Sequence, residues 1–286
     1  MFEKELETAI QLARQAGKTV LEYYALEIIA EEKVAADSST EPVTAADRAA
    51  SRIIVQGLEA AFPGDGILSE EEIDVSHLRL GNSRVWITDP IDGTWGFVKK
   101  DGDFAIQIGL AIDGEPVLGV VYVPIVDILY YAVKGGGSFS VTAGGQPMKL
   151  IVSTKTGFDT LIIATSRNHS SPRISQIAKH FGFAGEIRRG SIGIKVGLIA
   201  EQTCDLYINL SPRSKFWDTC APQSILEEAG GYLTDIFGER IKYDILDVQN
   251  HNGIVAASRA AHPHIIENLR PLLTEFGRYK VKEKVG

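Results

Sequence analysis

Residues 104–112, "FAIQIGLAI", set the tightest limit on how this chain can fold. Phe104, Ile106, Ile108, Leu110 and Ile112 alternate with a period of two, and Asp113-Gly114 follows as a hairpin turn. Residues 117–122 and 128–133 continue as apolar strands, and "KGGGS" at 134–138 punctuates them. Such a meander demands an antiparallel sheet with a buried face. Ahead of it, Leu6, Ile10, Ala13 and Gly17, then Val20, Leu21 and Tyr24, recur at helical spacing. Residues 44–62 do the same with Ala46, Ala50, Ile53, Ile54 and Leu58, and "VAADSSTEP" between the two reads as a polar loop. The second half alternates strands (161–165, 206–210, 232–234, 254–257) with helices (174–181, 192–200, 221–229, 263–276). The expectation is an N-terminal α+β half over 1–150 and a C-terminal α/β half over 151–286, with a site between them.

Acidic residues cluster at the ends of apolar elements. Glu70 and Glu71 follow Ile67-Leu68, Asp89 and Asp92 follow residues 85–87, and Asp218 follows Phe216-Trp217. Strand ends are where α/β folds gather ligands, and several carboxylates meeting at one point repel unless a cation lies among them. With no paired Cys or His nearby, zinc is disfavoured, and Mg²⁺, which takes a few carboxylates plus water and phosphate oxygens, suits the set. In "TDPIDGT" (88–94), Pro90 is expected to turn the chain so that the Ile91 carbonyl and Asp92 face the cation held by Asp89. Gly93 permits close backbone approach, and a helix starting at Thr94 would offer N–H groups to a phosphate. Plainer readings stand beside each piece: Asp92-Gly93 as a turn, Asp218 as a helix N-cap, Asp47 completing a capping box with Thr44, and residues 70–72 as a solvated charge run. Phosphatases with a nucleophilic first Asp in DxDGT have their acids two apart; here they are three apart and would not leave an extended strand on one side.

Net charge narrows the partners. A formal charge of −8 and the lack of a basic stripe exclude a nucleic-acid polymer. No apolar run is long enough to span a bilayer, and the first ten residues lack the basic and apolar blocks of a signal peptide, so a cytoplasmic location is expected. Cys204 and Cys220 form no framework and are expected as buried thiols.

The stretches "EPVTAADRAA" (41–50), "GILSEEE" (66–72), "VWITDPIDGTWGFVKK" (85–100) and "FWDTCAPQSILEEAGG" (216–231) fall in order over most of the chain. In them the sequence resembles the inositol monophosphatase family of Mg²⁺-dependent, lithium-sensitive phosphomonoesterases. The resemblance implies a layered αβαβα sandwich, two or three Mg²⁺ ions per site, inhibition by Li⁺, a homodimer, and a small phosphorylated substrate hydrolysed by a metal-activated water. Carried over by position, Glu70, Asp89 and the Ile91 carbonyl would bind one metal; Asp89, Asp92 and Asp218 would bind a second; Glu70 would help with a third. Asp47 and Thr94 would orient and polarise the attacking water, with Glu71 counted beside them as catalytic. The Gly93 and Thr94 amides would hold phosphate. "GFVKKDGDFAIQIGL" (96–110), "SRNH" (166–169) and Lys195 resemble the 3′(2′),5′-bisphosphate nucleotidase branch, whose substrate is adenosine 3′,5′-bisphosphate; there His169, Ser191 and Lys195 would meet the nucleotide. An inositol-1-monophosphatase is the alternative, and a non-catalytic metal- or nucleotide-binding module a more distant one, prompted by Pro222 and Trp95-Gly96, which depart from the family pattern.

Overall fold

A computed structural model describes residues 2–34, 40–168 and 171–281, except for the side chains of 33, 34, 40 and 41. Two helices, α1 (Glu3–Tyr24) and α2 (Ala45–Ala61), flank a two-stranded hairpin of β1 (Ala30–Val34) and β2 (Thr40–Thr44). The two ends of the expected polar loop, 34 and 40–42, belong to these strands, and 35–39 lie outside the described residues. The hairpin strands pair only with each other, so nothing forces the apolar alternation by which a core strand is recognised.

A seven-stranded sheet follows. It contains β3 (Gly66–Ser69), β4 (Arg84–Asp92), β5 (Ala105–Ile112), β6 (Glu115–Val123), β7 (Ile128–Val133), β8 (Gly137–Thr142) and β9 (Met148–Leu150), with the short helices α3 (Ser76–Leu80) and α4 (Thr94–Val98) between strands. Its strands lie side by side in chain order; β3–β4 is parallel and the rest antiparallel. The second sheet takes β10 (Ile162–Ser166), β11 (Gly185–Arg189), β12 (Leu206–Asn209), β13 (Gly231–Thr234) and β14 (Ile254–Ser258) in the order β11-β10-β12-β14-β13. Helices α5 (Pro172–Phe181), α6 (Ile192–Ala200), α7 (Phe216–Glu228) and α8 (His262–Glu275) complete the chain.

Three cores define five layers. Ala13, Ile54 and Leu58 from α1 and α2 pack on Trp86, Ile106, Ile108 and Leu110. On the other face of the first sheet, Val85, Ile87, Ala105 and Val121 meet Ile194, Ile225 and Leu226 of α6 and α7, which also cover Leu233 and Ala256 of the second sheet. Beyond it, Ile163, Leu206 and Val255 pack on Ile177, Ile265 and Leu269 of α5 and α8. The arrangement is the layered αβαβα sandwich. β4 and β5 are thus buried on both faces, which accounts for the consecutive apolar residues at 85–87 and for small or apolar residues on both sides of β5.

α7 lies on the first sheet at unusually close range. Gly109 and Gly119 are cross-strand partners on β5 and β6. A Cβ at Gly109 would stand 2.7 Å from Cys220 Sγ and 2.9 Å from the Ala221 nitrogen, and one at Gly119 would stand 2.2 Å from the Ala221 carbonyl oxygen. Both cysteines are free and buried. Among the described residues no helix is long and apolar enough to cross a membrane.

Candidate active site

Asp89 lies on the α7-facing side of β4, two residues beyond Ile87, and its register partner on β5 is Gln107. Asp92 pairs with Ala105, so three steps along β4 are matched by two along β5: one extra residue, a β-bulge. An extra residue reverses the alternation of sides. β4 therefore runs through Pro90 rather than turning there, and the bulge brings two acids three apart in sequence to the same side, which a regular strand would not do. The Ile91 N–H donates to Asp89 Oδ1 at 2.9 Å. Gly93 then takes φ +96°, where a Cβ would meet the Asp103 carbonyl oxygen at 2.5 Å, and α4 begins.

Asp218 arrives from the other half. It occupies the third position of α7, not the cap, and its Oδ2 accepts the Lys215 N–H at 2.6 Å. The helix starts five residues before the expected 221, because Pro222 is accommodated inside it. Carboxylate oxygens of Asp89, Asp92 and Asp218 all lie within 4.8 Å of one another.

These acids are held against their chemistry. Burial, then the charges of Glu70, Asp92, Asp218 and Asp47, hold the Asp89 carboxyl well above the usual range. Burial also raises Asp92, against the hydrogen bonds of Ser191, Gly193 and Gln107 and the charge of Lys195. A cluster of hard oxygen donors, two buried and one half-buried, with no Cys or His among the three, fits a hard divalent cation.

Asp47 carries two roles in one geometry. Its Oδ2 accepts the Thr44 N–H at 2.8 Å and the Thr44 hydroxyl at 2.5 Å, so the capping box exists. Its Oδ1 is 3.4 Å from Thr94 Oγ, a hydroxyl that also reaches the Ile91 carbonyl at 3.2 Å. Burial pushes Asp47 up to about 6, with Glu71 adding repulsion. Glu70 and Glu71 are half-buried at the end of β3, whereas Glu72 is exposed and accepts a hydrogen bond from Ser51 of α2.

Ser191 and Lys195 sit behind Asp92, away from solvent. Ser191 is fully buried, caps α6 and donates its hydroxyl to Asp92 Oδ2. Lys195 is 1% exposed, donates to the Gly190 and Arg189 carbonyls, and stands 4.8 Å from the Tyr207 ring centre. Burial lowers its pKa to about 8 despite Asp92 and Asp103. His169 lies outside the described residues. Trp95 is a partly exposed residue of α4 beneath Lys99, and Pro222 is packed in α7. Unforeseen at the site are Gln107 and the Gly193 amide, both bound to Asp92. The signal for Gln107 is a single long polar side chain in an otherwise apolar strand.

A sequence profile of the inositol monophosphatase family matches residues 1–274. The chain belongs to the inositol monophosphatase family. Within that family it is 34% identical over 240 residues to the 3′(2′),5′-bisphosphate nucleotidase CysQ of Salmonella typhimurium, covering 83% of this chain and 93% of that one. The crystal structure of CysQ from Bacteroides thetaiotaomicron superposes with a TM-score of 0.76 at 30% identity, over 91% of this chain and 98% of that one. An inositol monophosphatase-family structure, the IMPase of Thermotoga maritima, gives 0.79 at 25% identity, over 96% and 99%.

A carboxyl with a raised pKa in the folded state binds its proton more tightly there than in the unfolded chain. It therefore adds stability at low pH, and that contribution is lost as pH rises through the folded-state value. For Asp47 the loss runs between the ordinary 3.8 and about 6, and Asp89 and Asp92 shift in the same direction. Without divalent metal, the melting temperature of the wild type minus that of Asp89→Asn should be more positive at pH 5 than at pH 8, where the variant melts higher. Calorimetric scans at both pH values test this; an equal difference at the two would show that burial and the neighbouring charges do not raise the Asp89 carboxyl.

Proposed function

We propose that this chain is a metal-dependent phosphomonoesterase that hydrolyses adenosine 3′,5′-bisphosphate to AMP and phosphate, using Mg²⁺ at the Asp89–Asp92–Asp218 cluster. One observation carries the reading: two buried carboxylates of β4 and the half-buried one of Asp218 in α7 converge within 4.8 Å, in a chain 34% identical to a 3′(2′),5′-bisphosphate nucleotidase. Residues 1–150 and 151–286 are taken as two halves with the site between them, a view supported by Asp89 and Asp92 coming from the first sheet and Asp218 from α7. Two or three ions, with Glu70 and the Ile91 carbonyl completing the ligands, and inhibition by Li⁺ belong to the same proposal.

Divalent metal, when bound, neutralises the charge developing on the transferred phosphoryl group and lowers the pKa of water. The chain supplies the rest. With Oδ2 committed to Thr44, Asp47 presents Oδ1 to the Thr94 hydroxyl, and this pair orients the attacking water and takes up its proton. A carboxylate poised near pH 6 is a stronger base than an exposed one while remaining mostly ionised at neutrality. The first-turn amides of α4, which begin at the left-handed Gly93, seat the phosphate. Ser191 and Lys195 act on substrate through Asp92, as positioning and countercharge.

The second reading, an inositol monophosphatase, is favoured by the fold likeness to the Thermotoga maritima IMPase. Turnover of adenosine 3′,5′-bisphosphate and of inositol 1-phosphate, measured at equal concentration in Mg²⁺, separates the two. We expect kcat/KM to be at least ~10-fold higher for the nucleotide, the margin of one well-made contact. The reverse preference would remove the nucleotidase assignment and leave the phosphatase intact.

A further inference from the structure

β5 is buried on both faces, yet on the side facing α7 it carries Gln107, which has no exposed surface. Gln107 Nε2 donates to Asp92 Oδ2 at 2.5 Å. The same oxygen receives the Ser191 hydroxyl and, at 2.8 Å, the Gly193 N–H. Ser191 Oγ accepts the Ile194 N–H at 3.0 Å, so the hydroxyl hydrogen is left for Asp92. The Gln107 amide has one workable orientation, because its other face would set oxygen against oxygen. In that orientation Gln107 Oε1 is buried without a hydrogen-bond partner.

A carboxylate oxygen has about two lone-pair sites, and three donors on Oδ2 exhaust them. A buried acceptor left unpaired costs free energy, whereas replacing such an amide with an apolar side chain of similar shape is close to neutral. Gln107 is therefore poorly explained by stability and well explained by what it does to Asp92.

We propose that Gln107 is a positioning residue of the metal centre: with Ser191 and the Gly193 amide it saturates one oxygen of Asp92, so that the carboxylate offers only its other oxygen to a divalent cation. This rests on the reading of Asp92 as a metal ligand. The clamp fixes both the rotation of the carboxylate and its single-oxygen mode of binding. The fit is close: a Cβ on Gly193 would come within 3.3 Å of the Gln107 amide carbon and 2.9 Å of Val121 Cγ1.

Gln107→Met keeps the bulk and removes both the donor and the orphaned acceptor. Mg²⁺ titrated into the metal-free protein by calorimetry, without substrate, should bind about 10- to 100-fold more weakly to this variant, the usual loss when a residue that orients a ligand is replaced. Its metal-free melting temperature should equal or exceed that of the wild type. Adding Ser191→Ala should cost less affinity than the two single changes together, because both act through one oxygen. Mg²⁺ affinity within twofold of wild type, or a lowered melting temperature with unchanged affinity, would overturn the proposal. Should Gln107→Met fail to fold, Gln107→Asn, whose shorter amide stops short of Asp92, carries the affinity measurement alone: Mg²⁺ should again bind about 10- to 100-fold more weakly, and affinity within twofold of wild type would overturn the proposal. Asp92→Asn keeps the two readings apart. If it binds Mg²⁺ like the wild type, the ligand assignment itself fails; if it loses Mg²⁺ while the Gln107 variants keep it, only the clamp fails.

Discussion

Asp89→Asn should leave a folded protein whose kcat/KM has fallen at least ~10³-fold, because metal stabilisation of phosphoryl transfer is worth several kcal/mol and each 1.36 kcal/mol is tenfold in rate. Asp89 is the group on which the other acids press: Glu70, Asp92, Asp218 and Asp47 all raise its pKa. An asparagine retains an oxygen for the Ile91 N–H that now binds Asp89 Oδ1, so the bulge can persist. What disappears is one of the converging charges, and with it the attraction for a cation. The same change relieves repulsion, so the metal-free variant should melt above the wild type at pH 8. Loss of turnover together with a gain in metal-free stability separates a ligand from a scaffold residue, whose replacement would lower both. Steady-state kinetics and scanning calorimetry are sufficient, and activity within tenfold of wild type would remove Asp89 from the site.

Asp47→Asn is the second large effect. General-base contributions run to about 10²–10⁴-fold, and kcat should fall in that range while Mg²⁺ affinity stays within about twofold. An amide oxygen at this position can still accept the Thr44 N–H and hydroxyl that Asp47 Oδ2 accepts now, so the capping box persists and metal-free stability at pH 8 should not fall. Thr44→Val supplies the control. It removes the hydroxyl that caps α2 and donates to Asp47 Oδ2, yet leaves Oδ1 beside Thr94. Its stability should fall by roughly 0.5–2 kcal/mol with kcat reduced less than about tenfold. If both variants lose kcat equally, the carboxylate serves the helix and not the reaction.

Much of this architecture is legible in residue order. The both-sides-buried strands β4 and β5 announce themselves by apolar density, and α1 and α2 by their stripes. Strand ends rich in Asp and Glu mark the site. Other features are relations between segments, and no single segment records them. The bulge between Asp89 and Asp92 is a mismatch of register with β5, so the spacing of the acids alone points to opposite sides. Edge strand β11, "GEIRR", lacks an apolar face because little packs on it. The start of α7 is hidden because a proline inside a helix reads as a boundary. Ser191 and Lys195 show the converse: both stand near the expected site, and the fold turns them inward to Asp92.

The bare patch formed by Gly109 and Gly119 carries a lesson for anyone wishing to transplant this chemistry. Asp218 reaches its neighbours because the polypeptide of α7 sinks into a floor stripped of side chains. Three aspartates copied onto another sandwich of equal size would be held apart by the thickness of ordinary residues. The recipe for the centre therefore includes two places where nothing projects, and a search confined to charged groups would leave them out.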